Sequence, residues 1–126
     1  MATTHLTGVH TVAVPVADQD RALAFYTGTL GLELRMDGEL QAGFRWIEVA
    51  PPGAATSVAL VRADDGRGAG VDTGIRLTTT DAAGDHATLS AAGADTGGLL
   101  RWGGVPPMFA LRDADGNTLY VMELPG

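Results

Sequence analysis

The chain has 126 residues, 45% of them apolar and 18% charged, enough to bury one core and too few for two ordinary domains. Fifteen acidic residues stand against eight basic ones, all Arg, for a net charge of −7, which argues against binding the phosphate backbone of nucleic acid. Without Cys there is no disulfide framework, thiolate zinc site or cysteine nucleophile, and 18 Gly with 6 Pro favour short elements and many turns over a helical bundle.

No apolar run approaches the roughly 20 residues of a membrane span. Met1-Ala2-Thr3-Thr4-His5 lacks the basic region and apolar core of a signal peptide, so a cytoplasmic protein with no membrane partner is expected. Residues 9–16 are β-branched and mostly apolar, which predicts a strand covered on both faces. Asp18 occupies an N-cap position ahead of a helix that places Ala22, Tyr26 and Leu30 on one side and stops at Gly31. Strands are predicted at 32–36, 44–49 and 57–62, separated by Asp37-Gly38 and by Pro51-Pro52-Gly53. Residues 63–72 have loop composition.

The same grammar then returns. Residues 74–80 read as a strand, Asp81 as an N-cap, 82–92 as an Ala-rich helix and Gly93 as its stop. Strands are predicted at 99–102, 108–112 and 119–124, the last two joined by Asp113-Ala114-Asp115-Gly116-Asn117, whose Asp-Gly is a hairpin signal. The cap-to-stop distance is 13 residues in the first half and 12 in the second, which supports a duplication. The expectation is an α+β fold in a single domain over 1–126. Two tandem βαβββ modules, about 8–62 and 73–126 with a linker at 63–72, would form a curved, mostly antiparallel cup with helices outside.

His10 on the first strand, Asp18, Phe25-Tyr26 with Leu30-Gly31-Leu32, Ala91-Ala92-Gly93, and the run Arg112 to Asn117 together resemble the vicinal oxygen chelate superfamily. That superfamily includes glyoxalases, extradiol dioxygenases, fosfomycin-resistance enzymes and bleomycin-binding proteins. The resemblance covers nearly the whole chain. One departure is Ala114, where the family usually has Pro in the final turn. The resemblance implies a cup of paired modules, usually in a homodimer whose subunits share or exchange modules.

It also implies a divalent metal held in the cup by His, Glu or Gln from several strands. Such a site needs three or four converging ligands. His10 fills the first position; Ala59 falls on the second, Gly74 or Ile75 on the third, and Tyr120 on the fourth, where the metal enzymes carry Glu. Glu123 lies an odd number of residues from Tyr120 and so faces the other side of the strand, and Asp72 comes two or three positions early. Three of the four positions lack a good ligand, so a metal-free member without cofactor is expected, which points away from catalysis.

Turn chemistry accounts for Asp113 and Asp115, and Gly66, Gly68 and Gly70 precede no helix start that would make a phosphate cradle. Ser57 and Ser90 carry no nucleophile signature. Trp46 lies in a strand and Trp102 precedes Gly103-Gly104-Val105-Pro106-Pro107; either is a core or interface anchor, or with Met108 and Tyr120 a wall for a flat ligand. The expected binding set is therefore His10, Trp46, Ala59, Ile75, Trp102, Met108 and Tyr120. The function expected is capture of an antibiotic or other aromatic or cationic small molecule by a homodimer, without metal chemistry. Two rivals remain. One is a glyoxalase-like lyase or extradiol-dioxygenase-like enzyme, either metal-dependent or a metal-free isomerase or cyclase with His10 and Tyr120 as acid and base. The other is a regulatory domain whose Trp residues form a protein interface.

Overall fold

A computed structural model describes residues 3–63 and 68–125; part of the predicted linker, including Gly66, lies outside them. The chain runs β1 (Thr11–Val16), α1 (Gln19–Ala24) continued by a π-helical turn (Phe25–Thr29), β2 (Glu33–Gln41), β3 (Phe44–Ala50), β4 (Ser57–Arg62), then β5 (Asp72–Thr79), α2 (Ala82–Ala91), β6 (Asp95–Thr96), β7 (Met108–Arg112) and β8 (Thr118–Glu123). This is the α+β fold of two βαβββ modules. The strands form two four-stranded sheets, ordered β1-β4-β3-β2 and β5-β8-β7-β6. In each, the first and last strands of the module pair in parallel while the others are antiparallel.

Both helix starts follow the capping chemistry expected of them. The Asp18 carboxylate accepts from Arg21 N, and that of Asp81 accepts from Gly84 N, each at 3.0 Å. Past Ala24 the first helix widens into i→i+5 bonding, with Leu30 N donating to Phe25 O. Two predicted strand limits move. Asp37-Gly38 is not a turn but the middle of β2, where Gly38 pairs with Trp46 and the Asp37 carboxylate takes two bonds from Arg45 across the ladder. The reversal comes at Gly43, whose φ of +78° suits glycine. The strand predicted at 99–102 reduces to a single bridge, Leu100 to Met108, and β6 lies earlier, at Asp95–Thr96. The Gly97-Gly98 and Gly103-Gly104 pairs flanking 99–102 favour loop over ladder there.

Alternation then assigns the faces. Val14 and Val16 on β1, Ile47 and Val49 on β3, Val58 and Leu60 on β4, Phe109 and Leu111 on β7, and Leu119 and Val121 on β8 join one cluster with Tyr26 and Leu89 from the helices. Both sheets thus share a single core. Their opposite faces carry Ala13, Trp46, Glu48 and Ala59 on the first sheet and Arg76, Ala110, Tyr120 and Met122 on the second. The modules are also joined by polar contacts: Asn117, fully buried in the last turn, donates through Nδ2 to Pro15 O, and its Oδ1 accepts from Gly70 N and Val71 N.

Candidate functional site

The outward face of the first sheet holds a buried carboxylate that the residue-by-residue reading passed over. Glu48 is 8% exposed and sits in register with Ala59 on β4. Its Oε2 accepts from Trp46 Nε1 at 2.8 Å, and its Oε1 accepts from Ser57 Oγ at 2.7 Å and lies 3.2 Å from His10 Nε2. The hydrogen bonds from Trp46 and then Ser57 hold its pKa below the ordinary glutamate value, so it is ionised at neutral pH. The signal in the sequence was parity: in β3, Ile47 and Val49 turn inward, which places Glu48 on the face of Trp46 two residues before it. Ser57, dismissed as a nucleophile, supplies a donor to this carboxylate instead.

His10 lies one residue before β1 rather than on it, with its side chain 80% exposed. The indole of Trp46 is fixed at one end by Glu48 and meets Phe44 edge-on, ring centroids 6.1 Å apart. Ala59 is fully buried between β1 and β3, opposite Ala13 and Glu48. Thr11, paired with Ser57, has a buried Oγ1 with no hydrogen-bond partner among the described residues.

The second sheet carries a separate polar group. The Tyr120 hydroxyl donates to Asp72 Oδ2 at 2.7 Å, and the Arg76 guanidinium lies 4.4 Å above the Tyr120 ring. This hydrogen bond lowers the Asp72 pKa and raises that of Tyr120. Met108 stands on the same outward face, in register with Met122. Ile75 packs against the shared core, and with Val12, Val58, Arg76 and Leu77 it lines a cavity of about 230 Å³ at the seam between the modules. Trp102 is 61% exposed in the loop before β7, its carbonyl accepting from Val105 N.

His10, just before β1, and Tyr120, on β8, have different partners, Glu48 and Asp72. Among the described residues no three His, Asp or Glu side chains converge as a metal site. His10 and Glu48 are two donors, and both Glu48 oxygens already accept hydrogen bonds. Glu123 accepts from Ala82 N at the start of α2 and is committed there. The donor set does not fit a resident divalent metal. No helix among the described residues is long and apolar enough to cross a membrane.

Comparison with known proteins gives consistent results. The sequence profile of the Glyoxalase/Bleomycin resistance protein/Dioxygenase superfamily matches residues 8–121. The solved structure of TnmS3, an antibiotic binding protein from Streptomyces sp. CB03234, is 31% identical and superposes with a TM-score of 0.85 over 98% of this chain and 100% of that one. A glyoxalase/bleomycin resistance protein/dioxygenase superfamily member from Sphaerobacter thermophilus DSM 20745 is 34% identical, with a TM-score of 0.87 over 96% of this chain and 100% of that one. The uncharacterized protein YetH of Bacillus subtilis (strain 168) is 28% identical over 119 residues, 91% of this chain and 97% of YetH.

Proposed function

The chain belongs to the Glyoxalase/Bleomycin resistance protein/Dioxygenase superfamily, and from that premise we propose that it captures a flat aromatic small molecule, of the antibiotic or aromatic-metabolite kind, without chemical conversion. The observation that carries this reading is the outward face of the first sheet, where the Phe44–Trp46 pair stands beside the Glu48 carboxylate. Aromatic walls with a few placed polar groups suit a small-molecule site. Tyr120, Arg76 and Met108 on the second sheet form a further wall of the same character. The likeness to TnmS3, an antibiotic binding protein, supports the same reading.

In this reading each sheet offers half of a cup, and a homodimer completes it. Affinity comes from apolar burial at roughly 25 cal/mol per Å² together with aromatic stacking. Trp46, His10, Ala59, Met108 and Tyr120 are the proposed ligand-facing residues. The test is titration of the purified protein with a panel of aromatic antibiotics, followed by tryptophan fluorescence and calorimetry. Saturable binding without turnover of the bound molecule is expected, and the absence of saturable binding across the panel sinks the reading.

A further inference from the structure

We propose that Glu48 determines specificity in that site, anchoring the cationic or N–H-donating nitrogen of a flat ligand laid against the Phe44–Trp46 pair, with His10 the group that yields to it. This rests on the ligand-capture reading and names the ligand's chemistry.

A carboxylate has about four acceptor positions. At Glu48, Oε1 is engaged by Ser57 Oγ and approached by His10, while Oε2 accepts only from Trp46 Nε1. One position on Oε2 is open, and the occupant of one on Oε1 is an imidazole on a largely exposed side chain. Ser57 and Trp46 are tied into the sheet and fix the carboxylate; His10, just before β1, is the partner that can leave.

The charge balance selects for a cation. Among the described residues no arginine pairs with Glu48; Arg45, next to Trp46 in sequence, points to the other side of β3 and is held by Asp37 and Asp20. Glu48 is thus a buried carboxylate without a strong counter-ion, and an ammonium, amidinium or protonated heteroaromatic ring nitrogen supplies one. An anionic ligand meets repulsion there, and a ligand without a donor leaves the open position unfilled. The geometry also sets the shape of the ligand. The bond to Glu48 orients the Trp46 ring with Phe44 edge-on beside it, so a planar cation reaches the carboxylate while its rings contact the aromatic pair. The buried Thr11 hydroxyl beside Ser57, without a partner among the described residues, leaves additional hydrogen-bonding capacity next to the carboxylate.

The experiment measures binding of three flat probes of matched size, 9-aminoacridine as the cation, acridine as the neutral ring and acridine-9-carboxylate as the anion, by calorimetry at neutral pH in high salt. High salt screens the long-range field of the −7 chain and leaves a contact pair largely intact. The expected result is that the cation binds about 10- to 100-fold tighter than acridine, the range of a hydrogen bond to a charged group. The carboxylate probe should bind more weakly than either. Glu48→Gln should collapse the cation's advantage with a circular-dichroism spectrum unchanged. Saturable binding of all three probes with equal affinity in the wild-type protein overturns the assignment of Glu48 and leaves aromatic capture standing, a result that does not depend on any variant folding. A cation advantage that survives in folded Glu48→Gln also overturns it. Failure of all three probes to bind overturns this inference, and capture itself falls only if the antibiotic panel fails as well.

Discussion

The phenol of Tyr26, on the π-helical turn that follows α1, donates to Asp113 Oδ2 in the β7–β8 turn at 2.7 Å, joining the two modules across 87 residues of sequence. Asp113 accepts further bonds from the backbone N–H groups of Asp115 and Asn117 and from Asn117 Nδ2. Burial first, then the Asp113 charge, pushes the Tyr26 pKa far above its ordinary value, so the phenol stays a donor at every accessible pH. Tyr26→Phe removes one donor from a buried carboxylate that keeps three others. The expected loss is about 1–3 kcal/mol of unfolding free energy, read by urea denaturation. An unchanged midpoint would mean that the modules do not rely on this contact.

Asn117 holds more partners at the same seam. Its amide side chain bonds Pro15 O, Asp113 Oδ2, Gly70 N and Val71 N. Asn117→Ala leaves several buried partners unpaired at once. It should cost more than Tyr26→Phe, about 2–4 kcal/mol, and lower Tm in thermal unfolding by a correspondingly larger step. Equal effects from the two variants would contradict this ranking.

How much of this was legible in the sequence depended on what each signal encodes. Asp18, Gly31, Asp81 and Gly93 act locally, through caps and stops that need only their neighbours, and they delimited both helices and the duplication. Asp37-Gly38 misled because turn propensity competes with cross-strand pairing, and Arg45 decides in favour of the ladder. Glu48 is hidden in the sequence because it falls on none of the family's metal positions and its partners Ser57 and His10 come from β4 and from the segment before β1. Reading back from Asp81 locates the fifth strand without fixing the parity of its faces, so Arg76 over the Tyr120 ring is not legible there.

Glu48 should also shape the acid limb of stability. Its folded pKa lies below that of the unfolded chain, so the unfolded state takes up the proton first as pH falls. The stabilisation is fully present above the ordinary glutamate pKa and is lost as pH drops through that range and the folded value below it. Glu48→Gln should therefore narrow the stability difference between neutral and acid pH, measured by denaturation midpoints across that interval. Parallel pH profiles for the two proteins would contradict the shift. Asp37, whose pKa is lowered by its bond to Arg45, contributes with the same sign, and Asp37→Asn serves as the comparison.

The donor set around His10 makes a prediction about metal. Protein purified without chelators should carry no stoichiometric divalent ion by elemental analysis, and EDTA should leave Tm unchanged, since two donors with hydrogen-bonded oxygens compete poorly with water for such an ion. A bound equivalent of metal that disappears in His10→Ala would overturn this prediction and favour the metal-dependent enzyme over capture.

The two indoles separate the binding face from the rest of the surface. Trp46 is half-buried and hydrogen-bonded to Glu48, whereas Trp102 is 61% exposed in the loop before β7. Trp46→Phe should leave a red-shifted emission that acrylamide quenches readily, and Trp102→Phe should leave a bluer, better protected one. A flat ligand seated against Phe44 and Trp46 should quench the emission of Trp102→Phe strongly and that of Trp46→Phe weakly. Trp46→Phe also releases the Glu48 carboxylate and trades the indole for a smaller ring, so it should weaken binding without abolishing it. Ligand quenching that persists in Trp46→Phe and vanishes in Trp102→Phe would move the site to the 99–107 loop.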